Sequence, residues 1–275
     1  MSTIRIPCTD SIDLFANRLN RLGIETVCVS GRCPNRPRCF SLGRLSVLIL
    51  GGVCTRACRF CSVPKARLGR DYEWEINAIE RLVEELSLRF LVITSVTRDD
   101  LPDRGAGHFC SLVNSLKQKF PSLKIELLIP DFGGEVFLIK QVAQLKVEVI
   151  GHNIETIPKL YPIIRPQADY YRSLQVLKEL ASLSSGVVKS SVMVGLGEEE
   201  IELIEVFNDL KKVGVKALCI GQYLPPERSS YPVQKYYGEE DFDRLKDIAR
   251  DIGFEFVWSG PLVRSSFVGE ELYGL

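Results

Sequence analysis

From position 45 onward the chain alternates between two hydrophobic periods. Short apolar runs fall at 45–51, 90–96, 124–129, 147–153, 187–194 and 216–222. Between them, at 75–89, 107–120, 135–145, 169–183 and 198–213, apolar residues recur three and four positions apart. Leu203, Val206, Phe207 and Leu210 fit the i, i+3, i+4, i+7 template of an amphipathic helix. A short run that is apolar throughout suits a strand buried on both faces. Such strands alternating with helices predict βα units and a parallel sheet. A last helix at 239–252 leads into a short apolar segment at 254–258. Six units are too few for a closed eight-stranded barrel. The pattern fits a partial (β/α)6 barrel better than a flat doubly wound sheet, a choice that periodicity alone leaves open.

The first 43 residues read differently. One amphipathic stretch, 11–22, is followed by a loop rich in Cys, Pro, Arg and Gly. This predicts an N-terminal extension over 1–43 without a core of its own, a barrel over 44–253, and a C-terminal segment over 254–275. Hydrophobic residues make up 45% and charged residues 25%, the balance of an ordinary globular protein. Lys and Arg together number 35, as do Asp and Glu, so charge gives no support to a nucleic-acid or membrane-surface partner. No apolar run reaches the length of a membrane span. The opening residues lack a basic region followed by an apolar core, so the expected location is cytoplasmic.

Cysteine usage changes this bland picture. Of nine cysteines, six lie in two groups of three: Cys28, Cys33 and Cys39, then Cys54, Cys58 and Cys61. Disulfide frameworks belong to small secreted domains, and the count here is odd, so metal binding is the better expectation. Cys8, Cys110 and Cys219 have no ligand spacing. Cys110 and Cys219 fall in apolar patterns, where cysteine acts as a small hydrophobe. His108 and His152 stand alone and are expected to be core or surface residues.

The second triplet, Cys54-Thr55-Arg56-Ala57-Cys58-Arg59-Phe60-Cys61, directly follows the first strand. Strand carboxyl ends are where α/β enzymes place their chemistry. Three thiolates can hold three irons of a cubane cluster and leave the fourth open to a substrate or cofactor. Structural zinc would need a fourth ligand, and no further Cys or His is close in sequence. The Cys-x3-Cys-x2-Cys spacing, with an aromatic before the last cysteine, closely resembles the radical S-adenosylmethionine superfamily. That resemblance implies a [4Fe–4S] cluster whose open iron binds S-adenosylmethionine, and a 5′-deoxyadenosyl radical made by one-electron cleavage. It also implies the fold: a partial (β/α)6 barrel of the radical type with an N-terminal cluster-binding extension. The cofactor would carry the hard step and the protein would position it, so no catalytic acid, base or nucleophile is expected.

The upstream triplet, spaced Cys-x4-Cys-x5-Cys around Cys33-Pro34-Asn35, is moderately specific alone. Together with the radical motif it resembles the lipoyl synthases. Further matching blocks are Val92-Ile93-Thr94-Ser95-Val96, Arg98-Asp99-Asp100-Leu101, Pro130-Asp131-Phe132, His152-Asn153-Ile154-Glu155, Arg165-Pro166, Met193-Val194-Gly195-Leu196-Gly197-Glu198 and Gly221-Gln222-Tyr223-Leu224. The ending Gly260-Pro261-Leu262-Val263-Arg264-Ser265-Ser266-Phe267 matches the family's terminal motif at all but one place. The resemblance implies a second, auxiliary [4Fe–4S] cluster on Cys28, Cys33 and Cys39, with Ser265 as fourth ligand and the C-terminal segment closing the site. That cluster would be consumed as the sulfur source. Phe60, Thr94, Ser95, Asn153, Glu155, Arg165, Gly195, Gly197 and Gln222 would bind S-adenosylmethionine. The two glycines would permit close backbone approach to its adenosyl group. The implied reaction inserts sulfur at C6 and C8 of an octanoyl chain carried on a lysine of a lipoyl carrier domain. It uses two molecules of S-adenosylmethionine and a reducing electron donor.

Four departures from the family pattern stand out. Phe267 replaces a usual tyrosine, Val29-Ser30-Gly31 a commonly acidic stretch, Arg59 a common proline, and Gly133-Gly134 a common Arg-Gly. None removes a cluster ligand. Two other functions compete: a radical sulfur-inserting or methylthiolating enzyme acting on a heterocycle or RNA, and a two-cluster electron carrier. Balanced charge disfavours RNA, and a carrier would leave the large α/β body without a purpose.

Overall fold

The computed structural model describes residues 9–66 and 72–266. Seven strands, β1 (Ser46–Ile49), β2 (Phe90–Ser95), β3 (Lys124–Leu128), β4 (Val149–Gly151), β5 (Val187–Val194), β6 (Ala217–Gln222) and β7 (Phe256–Gly260), form one sheet in sequence order. Every neighbouring pair is parallel. A doubly wound sheet needs a point where the strand order reverses, and here there is none. Each crossover steps the same way, and right-handed crossovers that never reverse keep the helices on one face, so the sheet curls as a partial barrel.

The helices are α1 (Thr9–Leu22), α2 (Val27–Ser30), α3 (Arg36–Ser41), α4 (Trp74–Leu86), α5 (Ala106–Lys119), α6 (Val136–Ala143), α7 (Tyr161–Ile164), α8 (Tyr170–Leu183), α9 (Glu200–Lys212) and α10 (Glu239–Ile252). In α9 a capping box joins Glu199 and Glu202, and Lys211 and Lys212 lie in the last turn. Each end therefore carries the charge that the helix dipole favours. Its Leu203, Val206, Phe207 and Leu210 are fully buried, as their spacing predicts. Burial of each such side chain contributes roughly 1.5–3 kcal/mol. None of the described helices is long and apolar enough to cross a membrane.

Two features depart from the expected plan. The segment expected only as a short apolar run becomes β7, a seventh strand paired with β6 from Ala217↔Phe256 to Gly221↔Gly260. The C-terminal segment thus begins inside the sheet. The N-terminal extension shares the barrel's core: Phe15, Leu19 and Leu22 of α1 and Phe40 of α3 are buried with the β1 residues, and the Phe15 and Phe40 rings lie 4.8 Å apart. The extension also covers the outer edge of β1. Thr26 bridges Val47 antiparallel, and Leu48 N donates to Glu25 O at 2.9 Å. Asn35 Nδ2 donates to Leu262 O at 2.7 Å, so the extension meets the segment that follows β7.

Candidate active site

The chain leaves β1 through a sharp turn, with Leu50 at φ 65° and Gly51 at φ 85°. A Cβ on Gly51 would lie 2.9 Å from the Tyr72 ring, so glycine is required there. The buried Glu75 carboxylate secures the turn by accepting from Leu50 N at 2.9 Å and Gly51 N at 3.1 Å. The loop with Cys54, Cys58 and Cys61 then folds back on itself, Cys54 N donating to Pro64 O at 2.8 Å. Thr55 N bonds Thr97 O at 3.1 Å, Arg59 N bonds Ile164 O at 2.9 Å, and Ala57 N bonds Gln167 Oε1 at 2.5 Å. Arg59, the departure from proline, lies over the Tyr231 ring at 5.1 Å. The loop is thus tied to the segments that follow β2, β4 and β6.

Arg56 is the main clamp. Its guanidinium pairs with Asp99 at 2.7 and 2.8 Å and with Asp131 at 2.7 and 2.8 Å. Burial alone would raise the Asp131 pKa, but Arg56 outweighs it and holds this carboxyl well below the usual carboxylate range. Asp99 is lowered by the same opposition of burial and Arg56. The strand-end run Arg98-Asp99-Asp100 is engaged in holding the loop and its surroundings. Asp99 grips the cysteine loop, and Arg98 is buried, pairs with Asp100 at 2.8 Å and lies over the Tyr72 ring.

Five of the expected cofactor residues, Thr94, Ser95, Asn153, Glu155 and Arg165, line one concave site at the carboxyl ends of β2, β3 and β4. Arg165 NH1 donates to Asn153 O at 3.2 Å and to the Tyr161 hydroxyl at 3.1 Å. Its Nε, like Ser95 Oγ, is buried without a partner in the protein. Buried polar atoms are nearly always satisfied, so two such orphans lining one cavity fit a polar ligand there. Glu155 sits at φ 66°. Burial raises its pKa against the opposing pull of Arg165 and Asn153. The other four lie elsewhere. Phe60 packs against the core. Gly195 is confined, because a Cβ there would meet Gln222 Nε2 at 2.2 Å and Lys235 O at 2.4 Å. Gln222 itself is spent on the protein, bonding Val194 O, Lys235 O and Tyr237 N at 3.0–3.1 Å. Gly197, at φ 111°, faces the Gln234 side chain.

Cys28, Cys33 and Cys39 line a second cavity with Arg44, Ser46, Phe90, Val92, Arg264 and Ser266. Burial pushes the Cys28 thiol up to about 11 and, with Cys28 and Cys33 adding charge, the Cys39 thiol up to about 12. In the other triplet, burial pushes Cys61 up to about 11 and also raises Cys58. Desolvated thiols of this kind ionise on binding metal. Among the described residues no three His, Cys, Asp or Glu side chains converge on one metal ion. A cubane does not ask for that, since its three thiolates sit on three different irons. Ser62 Oγ donates to Ser30 O at 2.7 Å and links the two cysteine loops.

Ser265 lies between the cavities. Its hydroxyl is 3.2 Å from Asn153 Nδ2, and its carbonyl accepts from Lys189 Nζ at 2.5 Å. Ser266, not Ser265, lines the thiol cavity. Cys110 is half-buried on α5 and Cys219 is buried in β6, as their apolar settings predict. Cys8 and Phe267 lie outside the described residues. Sequence reading missed Arg56, Gln167 and the buried Lys189–Glu126 pair. Only the pair carried a signal, a charge inside each of two apolar strands.

The radical SAM superfamily model matches residues 48–210. The chain is 48% identical over 254 residues to lipoyl synthase of Alkaliphilus metalliredigens, covering 92% of this chain and 88% of that one. It is 44% identical over 269 residues to lipoyl synthase of Caldicellulosiruptor saccharolyticus, covering 98% and 94%. Solved structures with the same fold include HydG, a maturase of the [FeFe]-hydrogenase, at TM-score 0.60 and 15% identity, covering 74% of this chain and 49% of that one. Another is Streptococcus suis SuiB bound to S-adenosylmethionine, at TM-score 0.58 and 14% identity, covering 83% and 55%.

Proposed function

The chain belongs to the lipoyl synthases, radical SAM sulfurtransferases that insert sulfur into octanoyl groups with a [4Fe–4S] cluster and S-adenosylmethionine, and from that premise we propose how its residues divide the work. Cys54, Cys58 and Cys61 hold the radical cluster. A [4Fe–4S] cluster held there would bind S-adenosylmethionine and, on one-electron reduction, supply a 5′-deoxyadenosyl radical able to abstract hydrogen from unactivated carbon. Thr94, Ser95, Asn153, Glu155 and Arg165 orient the cofactor, with Ser95 Oγ and Arg165 Nε as the unused polar atoms. The Arg56 clamp keeps the cysteine loop fixed against the segments that follow β2 and β3, and so keeps that geometry rigid.

Cys28, Cys33 and Cys39 hold an auxiliary cluster that gives up its sulfur. We assign its fourth ligand to Ser265 on the family motif; Ser266, which lines the cavity, is the competing ligand. Oxygen is a harder and weaker donor to iron than thiolate, which suits a cluster that must be dismantled. The substrate is an octanoyl chain on a lysine of a lipoyl carrier domain, and an electron donor serves the radical cluster. In the net change each C–H bond at C6 and C8 would be replaced by a C–S bond, the hydrogen being carried off on 5′-deoxyadenosine and the electron released on C–S bond formation being taken up by the iron of the auxiliary cluster.

The observation that carries this reading is that the Arg264-Ser265-Ser266 segment lines the cavity of Cys28, Cys33 and Cys39 and, through Ser265, bonds Asn153 of the cavity that holds the two unpartnered polar atoms. An anaerobic assay with an octanoyl-lysyl peptide tests it. The expected result is a mass gain of two sulfurs, each abstracted hydrogen being replaced by the proton of a thiol. Formation of 5′-deoxyadenosine without any sulfur gain would overturn it.

A further inference from the structure

Two charges stand in the barrel where apolar residues are the rule. Glu126 lies in β3 and Lys189 in β5, and their side chains are 1% and 2% exposed. Glu126 is in register with Val92, which lines the thiol cavity. Lys189 is in register with Gly151 in the small strand β4, whose missing side chain leaves room there. Lys189 Nζ pairs with Glu126 Oε1 and also donates to the carbonyl of Ser265. Stability does not account for the pair. An apolar pair of equal volume usually serves a core as well or better, because both charges must be stripped of water. What the pair adds is a donor aimed at one main-chain carbonyl.

We propose that Lys189, oriented by Glu126, is a positioning residue that pins the peptide of Ser265 and holds the C-terminal segment over the auxiliary cavity. This rests on the assignment of Cys28, Cys33 and Cys39 to a cluster. Ser265 is held at both its oxygens, by bonds of different kinds. The carbonyl takes a charge-assisted bond from a buried ammonium, and the hydroxyl takes a neutral bond from the Asn153 amide at 3.2 Å. The charged bond is the stronger of the two. The hydroxyl can therefore leave Asn153 and turn while the main chain stays in place. Gly221 on β6 lets the same segment lie close, since a Cβ there would stand 2.3 Å from Val263 O.

The test uses the full-length reconstituted protein with Lys189→Met, and with Lys189→Met combined with Glu126→Gln. The single variant leaves a carboxylate buried without its counter-ion and is prone to misfold. The double variant removes both charges and keeps the volume. If the pair were merely structural, the double variant would behave as the parent. If Lys189 is the pin, amide exchange over 262–266 rises in the double variant. Dithiolated product per 5′-deoxyadenosine then falls by about tenfold, the usual effect of losing one charge-assisted hydrogen bond. The paramagnetic spectrum of the auxiliary cluster, recorded with Cys54, Cys58 and Cys61 replaced by Ala, also shifts. A folded double variant with parental exchange and parental product ratio overturns the proposal. Cys28→Ala is the control for the underlying reading. If it still makes product, the cluster assignment fails, and the exchange data alone then decide whether Lys189 is the pin.

Discussion

The side-chain amide of Asn153 reaches both Glu155 Oε1, at 3.1 Å, and the hydroxyl of Ser265, at 3.2 Å. One residue therefore touches the cavity proposed for the cofactor and the segment that borders the thiol cavity. Any rearrangement of Ser265 toward iron must first break its bond to Asn153, so the two sites are mechanically linked through a single amide.

Replacing Ser265 by Ala should leave 5′-deoxyadenosine formation in place and remove sulfur insertion, whereas Ser266→Ala should keep its product. Product mass and 5′-deoxyadenosine, measured together, check this. The reverse pattern would make Ser266 the ligand.

The triplets should separate in the same assay. Alanine at Cys54, Cys58 or Cys61 is expected to abolish 5′-deoxyadenosine. Alanine at Cys28, Cys33 or Cys39 should leave it and eliminate the dithiolated product. Each set should lose about four irons by metal analysis. Sulfur transfer that survives in the upstream variants would show that the sulfur comes from elsewhere.

Arg56→Met should be strongly destabilising. It strands Asp131, whose side chain is 0% exposed, with the half-exposed Arg172 at 3.4 Å and the Gly133 N–H at 2.9 Å left to compensate. Removing one partner of a buried ion pair costs about 3–5 kcal/mol. Arg56→Lys should fall between, because an ammonium cannot meet two carboxylates bidentately. Thermal unfolding of the two variants measures the effect; a Met variant as stable as the parent would mean the clamp is idle.

His152 gives a pH dependence. It is buried, with Nδ1 2.9 Å from Ile129 O and Nε2 3.1 Å from Ser173 Oγ, which fixes the neutral tautomer protonated at Nδ1. Burial, with Arg165 adding, lowers its pKa from 6.5 to about 4 against the opposing charge of Asp131. The unfolded chain thus takes up a proton first as pH falls below about 6.5. Stability is lost from there down to about 4, by roughly 3 kcal/mol in total. The loss from Asp131, whose pKa is depressed, begins as the pH falls into the ordinary carboxylate range and continues below it. Urea unfolding across the window should show the slope, and His152→Gln should flatten it. An unchanged slope in that variant would assign the dependence to other groups.

Most of the barrel was legible because its strands are short and buried on both faces, leaving continuous apolar runs such as Ser46–Ile49. β7 was legible only as a short apolar segment, because its apolar run, Phe256 to Trp258, is three residues long and just one of its five residues is buried. α2 and α3 are too short to announce themselves by period and are shaped by contacts around the cysteines. The cysteine spacing is local and could be read directly. Arg56 could not, since its partners lie 43 and 75 positions away. Gly195 and Gln222 show how one signal serves two ends. A glycine and an amide at strand ends suit a cofactor, yet here they brace each other and Lys235.

The bond between Asn35 and Leu262 joins positions 227 residues apart. During synthesis, Cys28, Cys33 and Cys39 emerge early but wait for almost the whole chain before Arg264 and Ser266 can wall them in. The loop of Cys54, Cys58 and Cys61 needs only the segments through Tyr231 to be tied down. In order of translation, therefore, the contacts that fix the loop of Cys54, Cys58 and Cys61 are all available before Arg264 and Ser266 emerge to wall in the cavity of Cys28, Cys33 and Cys39.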